Sequence, residues 1–68
     1  MFREIRITKK SIVIESIGYR IKLPIENLVT KGSKIVGIQM PSGVILPISL
    51  LLSNNIKISV DPRLPYHI

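Results

Sequence analysis

Residues 34–49 read KIVGIQMPSGVILPIS, and the rest of the chain is organised around this stretch. Two runs rich in β-branched residues flank the triplet Pro41-Ser42-Gly43. Proline suits the second position of a tight turn, and glycine supplies the positive φ that closes a short hairpin loop. The stretch therefore predicts a β-hairpin, which identifies a scaffold without identifying a chemistry.

Three segments before the hairpin alternate apolar and polar side chains, which is the pattern of a half-buried strand. They span residues 3–8, 11–16 and 19–23. In the third segment Arg20 and Lys22 are predicted to face outward. Tyr19 has the same parity as Ile21, and it is therefore predicted to pack in the core.

A short helical turn is predicted near Pro24 to Lys31. Pro24 ends the third strand because proline cannot donate to a ladder, and it suits the first position of a helix. Glu26 in the first turn and Lys31 in the last turn both complement the helix dipole. Gly32 is interpreted as the C-terminal cap of this helix.

Two asparagines, Asn54 and Asn55, predict a tight connection after the hairpin, because asparagine tolerates left-handed backbone. This connection leads into a final strand over residues 56–60. The alternative for residues 49–54 is one helical turn. Pro47 inside a strand requires a sheet edge, a bulge or a position whose amide would point outward.

Together these elements predict an all-β, mainly antiparallel fold, namely a small β-meander or barrel of five to six short strands. Residues 1–60 are predicted to form one small β domain. Residues 61–68 are predicted to form an extended C-terminal arm, because Pro62 and Pro65 favour a polyproline-like course. The apolar side chains of the arm suggest that it lies on a neighbouring surface, and the alternative is a frayed tail.

The apolar content of the chain favours association with other proteins. Of the 68 residues, 46% are hydrophobic. A domain this small buries a low fraction of its surface, so the apolar excess favours a homo-oligomer or a subunit of a larger protein assembly. The residues predicted to contact such a partner are Val44, Leu46, Leu64, Tyr66 and Ile68.

The chain is strongly basic, with a formal net charge of +6. This balance favours a polyanionic partner, meaning nucleic acid or an anionic membrane face. The alternative is a basic surface that only keeps the protein in solution. A basic strand face would follow a phosphate backbone with weak sequence specificity. The residues predicted to bind nucleic acid are Arg6, Lys9, Lys10, Arg20, Lys22, Lys31 and Lys34.

Residues suited to catalysis are scarce. The sequence has no cysteine, its single histidine is His67, and its four acidic residues are scattered along the chain. A triad on His67 would require the C-terminal residues to fold back. The glycines are too dispersed for a phosphate-binding loop. We therefore expect no enzymatic activity, no catalytic residues, no cofactor and no metal site.

Targeting signals are also missing from the sequence. No stretch approaches the roughly 18 to 20 apolar residues that a membrane-spanning helix needs. The first residues lack the apolar core and cleavage site of a signal peptide. These features favour an intracellular location, in the cytoplasm or nucleoid, or a place in a virus particle.

Residues 18–48 follow the order strand, Leu-Pro, short helix, Lys-Gly, strand, glycine turn, strand. This order resembles the swapped-hairpin DNA-binding domain of AbrB-type transcription factors and MazE-type antitoxins, although the helix region is shorter here. The resemblance implies an interlocked homodimer that binds duplex DNA through basic strands, with Arg20 and Lys22 at the corresponding basic positions. The matching positions are Gly18, Ile21, Leu23, Pro24, Leu28, Gly32, Ser33, Ile38, Gly43 and Leu46.

Three classes of function remain open. The first is a nucleic-acid-binding module, most simply for DNA, that acts as an oligomer through a basic strand face. The second is a structural subunit of a virion or ribonucleoprotein particle. The third is an inhibitor that binds another protein by offering an edge strand.

Overall fold

The computed structural model describes residues 2–68 as two packed β-sheets and one short helix. A 3-10 turn spans Ile25–Asn27, and helix α1 spans Ile48–Ser53. The all-β, mainly antiparallel prediction is confirmed. Within these residues the strands are β1 Phe2–Ile7, β2 Ser11–Ser16, β3 Tyr19–Pro24, β4 Leu28–Lys31, β5 Lys34–Gln39, β6 Ile45–Pro47 and β7 Lys57–Val60.

The first sheet has the strand order β3-β2-β1-β7. Residues directly opposite on neighbouring strands point to the same face, so the register places its aliphatic residues in two rows facing the core. The alternation of apolar and charged residues thus correctly predicted which side chains of these strands face the core. The two rows are Ile21, Ile14, Ile5, Ile58 and Leu23, Ile12, Ile7, Val60.

The second sheet has the order β4-β5-β6 and contains the predicted hairpin. The N–H of Gly43 donates to the carbonyl of Met40 at 2.8 Å, and the N–H of Met40 donates to the carbonyl of Val44 at 2.7 Å. Gly43 has a φ of +93°, which a residue with a side chain would adopt only under strain. Pro47 ends the edge strand β6, which is where a strand tolerates proline.

A β-bulge in β5 lets two isoleucines of that strand reach the core. Val29 pairs with Gly37 and Thr30 pairs with Ile35, so Val36 is the extra residue. Because the bulge resets the alternation, Ile35 and Ile38 are both fully buried although they are three positions apart. One cluster of buried residues joins both sheets and α1.

Two parts of the predicted topology are wrong. Neither sheet closes into a barrel in the described part of the chain. The chain also does not continue as a meander after the hairpin, because α1 carries it back to the first sheet and β7 pairs in parallel with β1. The helical alternative for residues 49–54 is confirmed by α1, and Asn55, with a φ of +61°, makes the predicted left-handed connection.

The helical turn after Pro24 is confirmed, but it is shorter than the pattern suggested. It ends at Asn27, and the chain continues as β4. The interpretation of Gly32 as a helix cap is therefore wrong, since Gly32 lies in the turn between β4 and β5 with a φ of +62°. The core position predicted for Tyr19 is also wrong, because this residue is 54% exposed at the end of β3.

The last residues of the chain lie beside β5. The N–H of Ile35 donates to the carbonyl of His67 at 2.7 Å, and the N–H of His67 donates to the carbonyl of Ser33 at 2.9 Å. Since β6 pairs only with residues 37–39 of β5, the end of the chain covers the part of that edge which β6 leaves open. Among residues 2–68 there is no helix of the length and hydrophobicity that a membrane crossing requires.

Candidate nucleic-acid interface

The face of the first sheet that points away from the core carries most of its charges, and we call it the outer face. Its side chains form two rows across the strands. The first row has two acids between two bases and is called the mixed row, whereas the second contains no acid. The mixed row is Arg20, Glu15, Glu4 and Lys57, and the second row is Lys22, Val13, Arg6 and Ser59.

Glu15 is the centre of the ion pairs on this face. Its two carboxylate oxygens lie 3.4 Å from Nη2 of Arg6 and 3.0 Å from Nη2 of Arg20. Arg6 also has its Nε 3.9 Å from Glu4. The hydrogen bond from Arg20, with further help from both guanidinium charges, lowers the pKa of Glu15 below its ordinary value. Glu15 therefore stays anionic at neutral pH.

The other end of the outer face is basic. Lys22 and Arg6 flank Val13 in the second row, so about 10 Å separate their backbones. Lys9 and Lys10 occupy the exposed turn between β1 and β2, just beyond this row. We call these four residues, Arg6, Lys9, Lys10 and Lys22, the basic end. They bring together four of the seven residues predicted to bind nucleic acid.

Asp61 lies near the basic end, and its charge is offset by its own partner. The N–H of Asp61 donates to the carbonyl of Ile7, and its carboxylate lies 2.9 Å from Nη2 of Arg63. Hydrogen bonds from the side chain and the backbone N–H of Arg63 lower the pKa of Asp61 to about 2, and Lys9 adds a smaller charge effect. The same pairing raises the pKa of Arg63. Asp61 therefore removes little positive charge from the basic end.

The remaining predicted basic residues occupy other positions. Arg20 lies on the outer face but in the mixed row, where Glu15 holds it. Lys31 and Lys34 are directly opposite each other in the strand register of β4 and β5, at the turn that joins these two strands of the second sheet. Lys57 belongs to the outer face and was missed, because only its parallel pairing with β1 places it opposite Glu4.

The residues predicted to contact a protein partner differ in exposure. Leu46, Leu64 and Tyr66 are half-buried and pack against the core of their own chain. Val44 is 58% exposed at the hairpin, and Ile68 is 40% exposed. The structure thus leaves Val44 and Ile68 with more free apolar surface than the other three.

An apolar groove lies beside the start of β1 and helix α1. Phe2, Leu46 and Leu51 line it. Tyr19 and Leu50, each about half exposed, lie at the same groove. The groove was missed because the sequence pattern assigned Tyr19 to the core and left α1 as an alternative.

His67 and Ser33 meet at the surface, so the C-terminal residues do fold back. Oγ of Ser33 lies 3.3 Å from Nε2 of His67. The other ring nitrogen of His67 lies 3.3 Å from the main-chain oxygen of Ile68. The pair joins the end of the chain to the turn between β4 and β5. Within residues 2–68 no group of three or more acidic or histidine side chains could hold a metal ion.

No protein-family model, curated protein or solved structure matches the chain. The resemblance of residues 18–48 to the AbrB and MazE type of domain therefore stays a prediction.

Proposed function

We propose that the chain is a small non-enzymatic module that binds the phosphate backbone of nucleic acid, most simply DNA, through the basic end of the outer face. The observation that carries this proposal is the clustering of Arg6, Lys9, Lys10 and Lys22 at one end of the outer face. Of these four, Arg6 is ion-paired with Glu15 and Glu4, and the nearby Asp61 is held by Arg63. Lysine and arginine side chains at such a surface release counterions when they meet phosphates, and this release drives binding.

Binding at this face would depend on backbone charge more than on base identity. The three aromatic residues of the chain lie elsewhere: Phe2 and Tyr66 pack against the core, and Tyr19 is at the apolar groove. Proteins that bind single-stranded nucleic acid usually stack its bases on aromatic rings. The basic end offers charged groups instead, so weak sequence specificity and strong salt dependence follow.

Association of several copies would strengthen such a site. Four contacts to phosphates give modest affinity, and a second copy on the same strand multiplies the contacts without new chemistry. Exposed apolar residues on the second sheet and α1, among them Val44, Ile45 and Leu50, supply surface for this association. We therefore include oligomer formation in the proposed function.

The alternative is a structural subunit of a larger assembly, such as a virion or a ribonucleoprotein particle. The same exposed apolar residues favour it, because Val44, Ile45 and Leu50 are each at least half exposed and would be covered in an assembly. In that case protein contacts would dominate, and the basic end would serve only as a solvated surface.

A salt series with labelled nucleic acid separates these functions. We expect fluorescence anisotropy of duplex and single-stranded DNA to report binding at low salt. The logarithm of the association constant should fall against the logarithm of salt concentration with a slope of about −3 to −4, since about four phosphates are neutralised. Absence of binding to both forms at low salt would contradict the proposed function. Light scattering at several concentrations then tests the oligomer.

A further inference from the structure

Arg6 and Arg20 reach toward one point on the outer face, and Glu15 occupies that point. The two arginines come from β1 and β3, on either side of β2 and two positions apart along it, so their backbones are about 12 Å apart. Each directs one terminal nitrogen to a different oxygen of Glu15, at 3.4 and 3.0 Å. The carboxylate is therefore held by two guanidinium groups from opposite sides.

A phosphate group could use the same two arginines. Guanidinium groups bind carboxylates and phosphates through the same planar, charge-assisted hydrogen bonds. We propose that Arg6 and Arg20 form a second phosphate subsite, which Glu15 occupies in the free protein as an internal competitor of the nucleic-acid backbone. This inference rests on the proposed function, because it concerns the same face.

The contacts are open enough for exchange. The side chains of Arg6, Arg20 and Glu15 are 51%, 63% and 32% exposed. Exposed ion pairs contribute little to stability, so a phosphate that approaches Arg20 can displace Glu15 at small cost. The low pKa of Glu15 keeps its carboxylate charged at neutral pH, and the competition therefore persists there.

The mixed row and the basic end consequently differ in availability. Lys9, Lys10 and Lys22 are open to phosphate at once, whereas Arg20 becomes available only when Glu15 moves aside. Arg6 belongs to both regions, since it stands in the second row and contacts Glu15 and Glu4. Internal competition of this kind lowers affinity at the mixed row and confines binding to the basic end.

The test compares Glu15→Gln with Glu26→Gln. Both variants remove one negative charge, but Glu26 lies in the 3-10 turn, off the outer face. We expect Glu15→Gln to bind a labelled DNA duplex about fivefold more tightly at low salt, because a nearby repulsive charge is lost and one more phosphate is contacted. The salt slope should steepen by about 0.9. Glu26→Gln should change affinity by less than about twofold, since the acids paired with Arg6 and Arg20 are Glu15 and Glu4 and not Glu26.

Arg20→Gln, made in both backgrounds, tests whether the gain passes through this arginine. In the natural chain we expect a small loss of affinity, whereas in the Glu15→Gln chain Arg20→Gln should cancel the gain. Equal affinity of Glu15→Gln and Glu26→Gln, with clear binding by both, would overturn the internal competitor and leave the proposed function intact. Failure of the natural chain and of both variants to bind duplex at low salt would overturn the proposed function as well.

Discussion

The two sheets of this protein distribute charged and apolar residues in different ways. In the first sheet every second residue is aliphatic and faces the core, so the charges gather on the outer face. In the second sheet apolar residues occur on both faces, and the charges of Lys31 and Lys34 lie at one turn. The first sheet thus offers a polyanion a charged surface, whereas the second offers apolar surface to a protein.

The largest expected effect is the loss of stability on truncating a core residue of the first sheet, compared with truncating an exposed residue of the hairpin in the second sheet. Ile14 is fully buried in β2, between β1 and β3, whereas Val44 is mostly exposed at the hairpin turn. We expect Ile14→Ala to lower the free energy of unfolding by about 3 kcal/mol, because it leaves a cavity. Val44→Ala should change it by less than about 0.5 kcal/mol. Urea unfolding measures both, and equal losses would contradict the assignment of the core.

Charge reversal tests whether binding belongs to the first sheet. Lys10→Glu with Lys22→Glu reverses two charges at the basic end, and Lys31→Glu with Lys34→Glu reverses two on the second sheet. We expect the first pair to weaken duplex binding about a hundredfold at low salt, because it removes two phosphate contacts and adds repulsion.

The second pair changes the net charge equally, and it should weaken binding less than about fivefold. Far-ultraviolet circular dichroism controls for folding of both variants. A similar loss for the two pairs would mean that total charge, and not the outer face, determines binding.

Close packing within the second sheet gives the next effect. A Cβ atom added at Gly37 would lie 2.9 Å from a side-chain methyl of Ile45 and 3.0 Å from the carbonyl oxygen of Leu46. Gly37→Ala should therefore cost about 2 kcal/mol of stability in urea unfolding. Adding Ile45→Ala should recover only part of this loss, since the Leu46 carbonyl remains. A neutral Gly37→Ala would contradict the packing of β5 against β6.

The smallest effect concerns Asp61, which links β7 to the basic end. Its pKa is lowered from 3.8 to about 2 by Arg63, so the charged form is favoured in the folded state. This stabilisation is fully present above pH 3.8 and is lost as the pH falls through about 2. Asp61→Asn should therefore lower the melting temperature slightly at pH 6 and have no effect at a pH well below 2. A constant difference across this range would contradict the pairing.

The first sheet could be largely predicted from sequence, and the second could not. Alternation correctly placed Ile12 and Ile14 inward and Arg20 outward, because a strand with one buried face reveals its register. In β5 the bulge at Val36 shifts the alternation of inward and outward side chains by one residue, and the residue types there do not predict a bulge. The parallel pairing of β7 with β1 depends on packing of α1 between distant segments, which local patterns do not encode.

The candidate site could be predicted in residue type more readily than in arrangement. Basic residues that alternate with apolar ones indicated a charged face, and Arg6 and Lys22 do share it. Cross-strand register decides which acids stand beside them, and register comes from the folded sheet. Glu15 lies nine positions from Arg6 and five positions from Arg20 along the chain, so their contacts do not form a local sequence motif.

The most direct test of the central claim is to titrate a short DNA duplex into the isotope-labelled protein and to monitor the backbone amide chemical shifts by NMR. We expect the largest shifts, diminishing with added salt, at the basic end and its neighbour in the second row, namely Arg6, Lys9, Lys10, Val13 and Lys22. Largest shifts at residues 31–34 and 44–45 would place binding on the second sheet and contradict the account.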